Sequence, residues 1–177
     1  MTWTVPNVTF AFRQGDEPPE EGGCPIGGEF VFKTSADLFA NKRVIIFSLP
    51  GAFTPTCSTY QLPGFEEQFA DFQAQRIDDI YCISVNDAFV MNEWARSLGI
   101  KNVKVIPDGT GHFTRLMGML VNKDAIGFGY RSHRYAAIVN DGTVEKLFEE
   151  PGREDNFGSD PYGESSPENI MKYLKGE

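Results

Sequence analysis

The cysteine at position 57 stands where a thiol could act as a nucleophile. The segment SLPGAFTPTC, residues 48–57, follows a short apolar run that predicts a buried strand. Thr54 is a good N-cap residue, and Pro55 suits the first helical position because its missing N–H leaves no hydrogen bond unmade there. Cys57 is therefore predicted in the first turn of a helix, where unpaired backbone N–H groups and the helix dipole favour an anionic thiolate.

Two further residues of this segment could serve a cysteine nucleophile. Thr54, one turn earlier, offers a hydroxyl on the same helix face, and Pro50 would shield the site and fix the loop without donating a hydrogen bond. The site would lie at the carboxyl end of a strand, where open α/β sheets bind ligands. From these residues alone, Cys57 could equally be a small buried apolar side chain, as free cysteines often are.

The elements that must position this site alternate between strands and helices. Predicted strands are residues 8–12, 29–33, 43–49, 78–85 and 103–108, with a hairpin over residues 134–150. Predicted helices are residues 34–39, 54–75, 86–100 and 168–175, with Thr34 or Ser35, Asn86 or Asp87, and Ser166 as caps. A kink or break is expected at Pro63 and Gly64, and residues 149–168 predict a long exposed loop. Together these elements indicate an α/β fold with a mixed sheet and helices on both faces.

Length and charge exclude several classes of function. The 177 residues fit one domain over residues 1–177, and the net charge of −9 argues against nucleic acid or an anionic membrane surface as the main partner. The longest apolar runs are far too short to span a bilayer. The first ten residues also lack the basic and apolar parts of a secretory signal.

The cysteine and histidine content argues against disulfides and metals. Cys24, Cys57 and Cys82 form no paired spacing, so they predict free thiols in a reducing, cytoplasmic compartment. With two histidines and no Cys-x-x-Cys, no metal site is expected. The glycine-rich segment DGTGHFTRLMG fails the dinucleotide fingerprint, and no cofactor is expected.

Longer motifs around the cysteine resemble those of a known family. The residues Pro50, Thr54 and Cys57 resemble the active-site signature of the peroxiredoxins, and FSLPGAFTPTCSTYQLPGFEE resembles the type II (also called type V or atypical) subfamily. CISVNDAFVMNEW and GFGYRSHRYAAIVNDG are similar to it too, so that the resemblance covers residues 37–177. It implies a thioredoxin-like fold with a C-terminal β-hairpin and the reduction of hydroperoxides by Cys57.

The resemblance also implies the other parts of the site. Family members carry an arginine just before the first strand of the C-terminal hairpin, which is Arg134 here, and Arg131 is the next candidate. The Cys57 thiolate would attack the peroxide and become a sulfenic acid, while Arg134 and the Thr54 hydroxyl hold the substrate. The family further implies a homodimer, with Phe53 and the loop around Phe113 as expected contacts.

The thiol that completes the cycle is left open by the sequence. Relatives resolve the sulfenic acid through cysteines placed like Cys82 or Cys24, while either residue could also be a bystander. Other relatives use a cysteine in the loop before the last helix, and that loop has none here. A one-cysteine cycle with an external thiol is favoured, with glutathione and glutaredoxin ahead of thioredoxin as the reductant.

Two other functions fit the same cysteine. A cysteine hydrolase would pair Cys57 with His133 or His112 and cleave an acyl substrate. A peroxide sensor or holdase would use Cys57 oxidation to change partners. Steady peroxide turnover with a thiol donor distinguishes a peroxidase from both.

Overall fold

The computed structural model describes residues 3–177 of the chain. Its strands are β1 (Trp3–Thr4), β2 (Thr9–Gln14), β3 (Glu29–Thr34), β4 (Arg43–Ser48), β5 (Asp79–Ser84), β6 (Lys104–Pro107), β7 (Leu120–Asn122), β8 (Tyr130–Ser132), β9 (Tyr135–Asn140) and β10 (Thr143–Glu149). Its α-helices are α1 (Ser35–Phe39), α2 (Leu62–Glu67), α3 (Phe69–Ala74), α4 (Ala88–Ser97), α5 (His112–Leu116) and α6 (Pro167–Lys175). A π-helix covers Cys57–Gln61, and a short 3-10 helix covers Asp124–Ile126.

The central sheet has strands of both directions. Its strand order is β1-β10-β9-β4-β5-β6. Strand β4 pairs in parallel with β5 and antiparallel with β9, and β5 pairs in parallel with β6. Since Ser48 at the end of β4 lies opposite Tyr135 at the start of β9, the residues before β9 reach the carboxyl end of β4. The predicted mixed sheet is confirmed.

Alternate residues of β4 supply the cores on the two faces of the sheet. Ile45 and Phe47 belong to the core that contains residues of α2, α3, α4 and α6. Val44 and Ile46 belong to the core that contains residues of α1 and α5. Because side chains alternate across a strand, the apolar run of residues 44–47 in this strand is buried on both sides, which confirms the prediction of helices on both faces.

The predicted helix starts and the predicted hairpin are present. Thr34 caps α1 in a capping box with Asp37, Asp87 caps α4, and Ser166 caps α6. The hairpin of β9 and β10 turns at Asp141 and Gly142, whose φ angles are 47° and 76°. Both central residues lie in the left-handed region that a two-residue hairpin turn requires.

The helix that carries Cys57 differs from the prediction. Instead of a kink at Pro63 and Gly64, the chain forms the π-helix just before them, and Leu62 N–H donates to the Cys57 carbonyl. Pro63 has no N–H, and its ring would crowd the carbonyl of Thr59 in a regular helix. The wider π-turn accommodates the proline, and the real break comes at Gln68, between α2 and α3.

Two parts of the chain were not anticipated. The ribbon of β7 and β8 and the short β1 carry too few residues for a periodic signal. The loop over residues 149–168 is only partly exposed, because it buries Glu150 and Ser165. The Glu150 carboxylate accepts hydrogen bonds from the backbone N–H groups of Gly163 at 2.7 Å and Glu164 at 2.6 Å. Within residues 3–177, no helix is long and apolar enough to cross a bilayer.

Candidate active site

Cys57 lies in the first turn of its helix, as predicted. The Thr54 carbonyl accepts from the Ser58 N–H at 3.0 Å, so Thr54 is the residue at which the helix begins. The Cys57 side chain is fully buried and belongs to the core on its side of the sheet. Because the sulfur is out of contact with bulk water, the partial positive charge at the helix N-terminus acts on it with little screening.

Arg134 brings a cation to the sulfur. It stands one residue before β9, and the pairing of β9 with β4 places it at the carboxyl end of β4. Its Nη1 donates to the Cys57 Sγ at 3.5 Å and to the Gln61 Oε1 at 2.5 Å. Its Nη2 donates to both carboxylate oxygens of Asp160, at 2.8 and 2.9 Å. The guanidinium is thus held on two sides and directed at the thiol.

The charge of Arg134 persists although only 2% of the residue is exposed. Burial disfavours its charged form, but the neighbouring Cys57 and Asp160 outweigh that effect and raise the pKa of Arg134. A permanent cation in a buried site favours the thiolate over the thiol. The structure therefore joins the two stabilising groups, the helix start and an arginine, at one sulfur.

Gln61 and Asp160 are site residues that the sequence did not reveal. Gln61 follows Cys57 by four residues, so helical spacing could have placed it on the same face. Its Nε2 donates to the Ser165 carbonyl at 3.4 Å, which ties the helix to the loop. Asp160 lies in that irregular loop, where no periodicity indicates which acid turns inward.

Thr54 and Pro50 form the loop that leads into the helix. The Thr54 hydroxyl donates to the Gly51 carbonyl at 2.7 Å, which stabilises the loop. This bond uses the hydroxyl proton and not the lone pairs of the oxygen. Pro50 is buried, and its carbonyl accepts from Arg131 Nη1 at 3.3 Å. Both predicted residues adjoin the site, and Thr54 contacts the loop backbone.

Arg131 has a different role from Arg134. Its Nε donates to the Phe128 carbonyl at 3.0 Å, and a Cβ on Gly51 would lie 2.6 Å from its Nη1. Arg131 therefore packs directly on the loop backbone at Gly51, where a side chain would displace it. Its hydrogen bonds support the loop before the helix, whereas those of Arg134 reach the sulfur.

The two other cysteines have opposite surroundings. Cys82 on β5 is fully buried in the same core as Cys57. Burial raises the pKa of the Cys82 thiol well above its ordinary value, the nearby Cys57 adds to this, and Arg134 opposes it. Cys24 is exposed. Cys82 is therefore held as a neutral thiol beside the site, while Cys24 is open to solvent.

The histidines do not form a nucleophile–base pair with Cys57 in this arrangement. His133 is buried, and its Nε2 lies 2.7 Å from the Glu150 carbonyl oxygen. Burial lowers the pKa of His133, although the bond to Glu150 opposes the shift. His112 is exposed at the start of α5. The contacts of His133 thus serve the loop after β10.

Of the two expected dimer contacts, the Phe113 side chain is buried within the chain and the Phe53 ring is exposed. Phe113 is fully buried, with its ring 5.5 Å from that of Phe10 and 6.3 Å from that of Phe39, so its side chain belongs to the core of the chain. The family resemblance suggested the loop around Phe113 as a contact. Phe53 is 56% exposed and has a φ of 61°, which is unusual for a bulky residue.

A pocket of about 370 Å³ opens beside the site. Its lining includes Pro50, Thr54, Pro55, Lys123, Ile126, Phe128, Phe157 and Asp160. Pro50, Thr54 and Asp160 in this lining are also residues of the site described above, so the pocket leads to the outer side of the Arg134–Asp160 pair. Within residues 3–177, no group of three or more His, Cys, Asp or Glu side chains is arranged to hold a metal ion.

Known proteins are similar to this chain in both sequence and fold. The Redoxin family model matches residues 27–160. A protein named peroxiredoxin from Rhizobium etli is 61% identical over 175 residues, which cover 99% of this chain and 96% of that protein. Among solved structures, the Plasmodium falciparum antioxidant protein, described as a 1-Cys peroxiredoxin, has a TM-score of 0.89 and 36% identity, with 98% of both chains covered. Reduced Prx3 from Vibrio vulnificus, solved in complex with hydrogen peroxide, has a TM-score of 0.82 and 32% identity, with 98% of this chain and 94% of that chain covered.

Proposed function

The chain belongs to the peroxiredoxin family, and from this premise we propose that it reduces hydrogen peroxide and organic hydroperoxides and is recycled by glutathione and glutaredoxin. That it is a thiol peroxidase of thioredoxin-like fold follows from the family. The observation that carries the assignment of the site is the 3.5 Å contact between Arg134 Nη1 and Cys57 Sγ.

The reaction begins with the Cys57 thiolate. It attacks the nearer oxygen of the hydroperoxide, the S–O bond forms as the O–O bond breaks, and Cys57 becomes a sulfenic acid. The leaving oxygen takes up a proton and departs as water or an alcohol. Arg134 supplies a fixed positive charge where negative charge shifts from sulfur to the leaving oxygen, and no reorganisation is needed because its fork is already held.

We propose a one-cysteine cycle for the return to the thiol. Glutathione attacks the sulfenic sulfur, releases water and forms a mixed disulfide, and a second thiol from glutaredoxin or glutathione frees Cys57. Two observations support an external thiol: Cys82 is buried as a neutral thiol, and a relative of high structural similarity is described as a 1-Cys peroxiredoxin. The dependence on reducing thiols and the free cysteines support a cytoplasmic location.

The function is tested by peroxide consumption with purified protein. We expect Cys57→Ser to abolish turnover, because serine cannot form the thiolate, and Cys24→Ser and Cys82→Ser to retain it with glutathione and glutaredoxin. Thioredoxin is the comparison reductant. Turnover by Cys57→Ser would refute the mechanism, and loss of turnover in Cys82→Ser would replace the one-cysteine cycle by an internal disulfide. Oxidation of Cys57 without steady turnover would favour a peroxide sensor.

We also propose a homodimer with Phe53 at its interface. The exposed ring and the strained backbone of Phe53 support this, because such strain concentrates at functional sites. We expect Phe53→Glu to shift sedimentation towards the monomer. Phe32→Glu is the matched control, since Phe32 is 67% exposed on β3. Equal sedimentation of Phe53→Glu and the unaltered protein would exclude Phe53 from the interface.

A further inference from the structure

The carboxylate of Asp160 neutralises the outer side of the active-site arginine. It accepts both hydrogen bonds from Arg134 Nη2, while Nη1 remains for Cys57 and Gln61. Arg134 is 2% exposed, and the Asp160 side chain is 46% exposed. The pair therefore has one buried and one wet partner. Both carboxylate oxygens accept from this one nitrogen, so Asp160 holds one branch of the guanidinium and leaves the other branch directed at the sulfur. Hydrogen bonds between two ionised groups are stronger than those between neutral groups.

The loop around Asp160 is fastened at several points. The buried Glu150 carboxylate accepts from the N–H groups of Gly163 and Glu164, and Ser165 accepts from Gln61. The Arg134 guanidinium also lies 5.8 Å from the ring of Tyr162. The hydrogen bonds of this loop thus hold Asp160 beside Arg134, whereas an acid on a mobile surface loop would contact an arginine only occasionally.

We propose that Asp160 is a positioning residue whose negative charge partly offsets the positive charge of Arg134 at Cys57 and so sets the pH range in which the thiolate exists. This role rests on the proposed peroxidase function. The groups that face Cys57 are Arg134 at the start of β9, Cys82 on β5 and Tyr162 on the loop, and Asp160 acts through Arg134.

This partial offset of the arginine charge makes the sulfur a better nucleophile. A thiolate that is stabilised more strongly is a weaker nucleophile, since intrinsic nucleophilicity falls with thiol acidity. The uncompensated cation would give more thiolate at low pH but a slower attack by each thiolate. The Asp160 carboxylate balances these effects and keeps Nη1 directed at the sulfur.

The test compares Asp160→Asn with Asp160→Glu and with Glu154→Gln, an exposed acid on the same loop. Thiolate absorbance is followed across acidic pH, with Cys57→Ser subtracted, and no peroxide is needed. In Asp160→Asn the Cys57 thiolate persists to lower pH than in the unaltered protein, while Asp160→Glu and Glu154→Gln match the unaltered protein. At a pH where Cys57 is fully ionised in all variants, Asp160→Asn reacts with hydrogen peroxide about two- to tenfold more slowly.

Each opposite result is decisive. A thiolate in Asp160→Asn that disappears at the same or a higher pH than in the unaltered protein overturns the proposal, and so does an undiminished rate at full ionisation. A shift in Asp160→Glu as large as in Asp160→Asn shows that charge is not the cause and overturns it too. If the unaltered protein fails to consume peroxide, the peroxidase function is lost, while the absorbance comparison still decides the role of Asp160.

Discussion

At the scale of single residues, the site depends on which of two neighbouring arginines reaches the sulfur. Arg134 donates to Cys57 at 3.5 Å, whereas Arg131 donates to backbone carbonyls of Pro50 and Phe128. The two side chains are three positions apart in the chain. Their functions differ because only Arg134 stands at the start of β9, opposite the end of β4.

We expect Arg134→Ala to slow peroxide attack more than Arg131→Ala does. Loss of Arg134 removes a charge-assisted contact worth about 1.5–3 kcal/mol, which corresponds to roughly a tenfold to hundredfold lower rate. Arg131→Ala acts only through the loop at Pro50 and Gly51 and serves as the matched control. Stopped-flow oxidation of both variants measures the difference. Equal slowing would mean that both arginines carry the charge.

The residues of the site were predictable to different degrees. Cys57, Thr54 and Pro50 lie within eight residues, so local helix rules and family motifs suffice to select them. The prediction of Arg134 depended on the family resemblance. Arg134 is 77 positions from Cys57 in the sequence, and only the pairing of β9 with β4 brings the two residues together. Asp160 was missed, since an irregular loop gives no pattern that shows which acid faces inward.

At the scale of elements, the helix of Cys57 is fixed to the sheet by stacked aromatic rings. Phe65 on α2 lies 4.1 Å from Phe47 on β4 and 5.8 Å from Phe72 on α3, measured between ring centroids. All three side chains are fully buried. In the sequence, Phe65, Phe69 and Phe72 recur at helical spacing, which is typical of a core-facing helix side, whereas propensity rules describe only regular helices and do not reveal the π-turn before Pro63.

We expect Phe65→Ala to lower the free energy of unfolding by about 3–5 kcal/mol, because a buried ring is replaced by a cavity. Phe32→Ala is the control. Its ring is 67% exposed, so the expected change is within about 0.5 kcal/mol. Urea denaturation of both variants measures the two values. A loss below about 1 kcal/mol in Phe65→Ala would contradict the packing of the helix against β4.

At the scale of the whole molecule, acid acts on several groups that the fold holds in one charge state. Burial alone would raise the pKa of Asp79, but hydrogen bonds from Lys104 and Lys42 outweigh it and lower the value. Burial likewise opposes a lower pKa of Glu66, and backbone N–H groups from Lys101 to Val103 outweigh it. These carboxylates connect separate elements of the fold. Their stabilisation is present above their unfolded pKa values and is lost as pH falls through the folded ones.

His133 extends this acid sensitivity to milder pH. Burial lowers its pKa below the ordinary value of 6.5. In mild acid the imidazole of His133 is therefore protonated in the unfolded chain but neutral in the folded chain. The free energy of unfolding is highest above about pH 6.5, and it falls as the pH drops towards the pKa of His133 in the folded chain. We expect the free energy of unfolding to decline as pH falls below about 6.5, and His133→Gln to reduce that slope. His112→Gln, at an exposed histidine, keeps the slope of the unaltered protein. Urea denaturation at each pH measures the slopes, and an undiminished slope in His133→Gln would show that His133 is not held neutral by the fold.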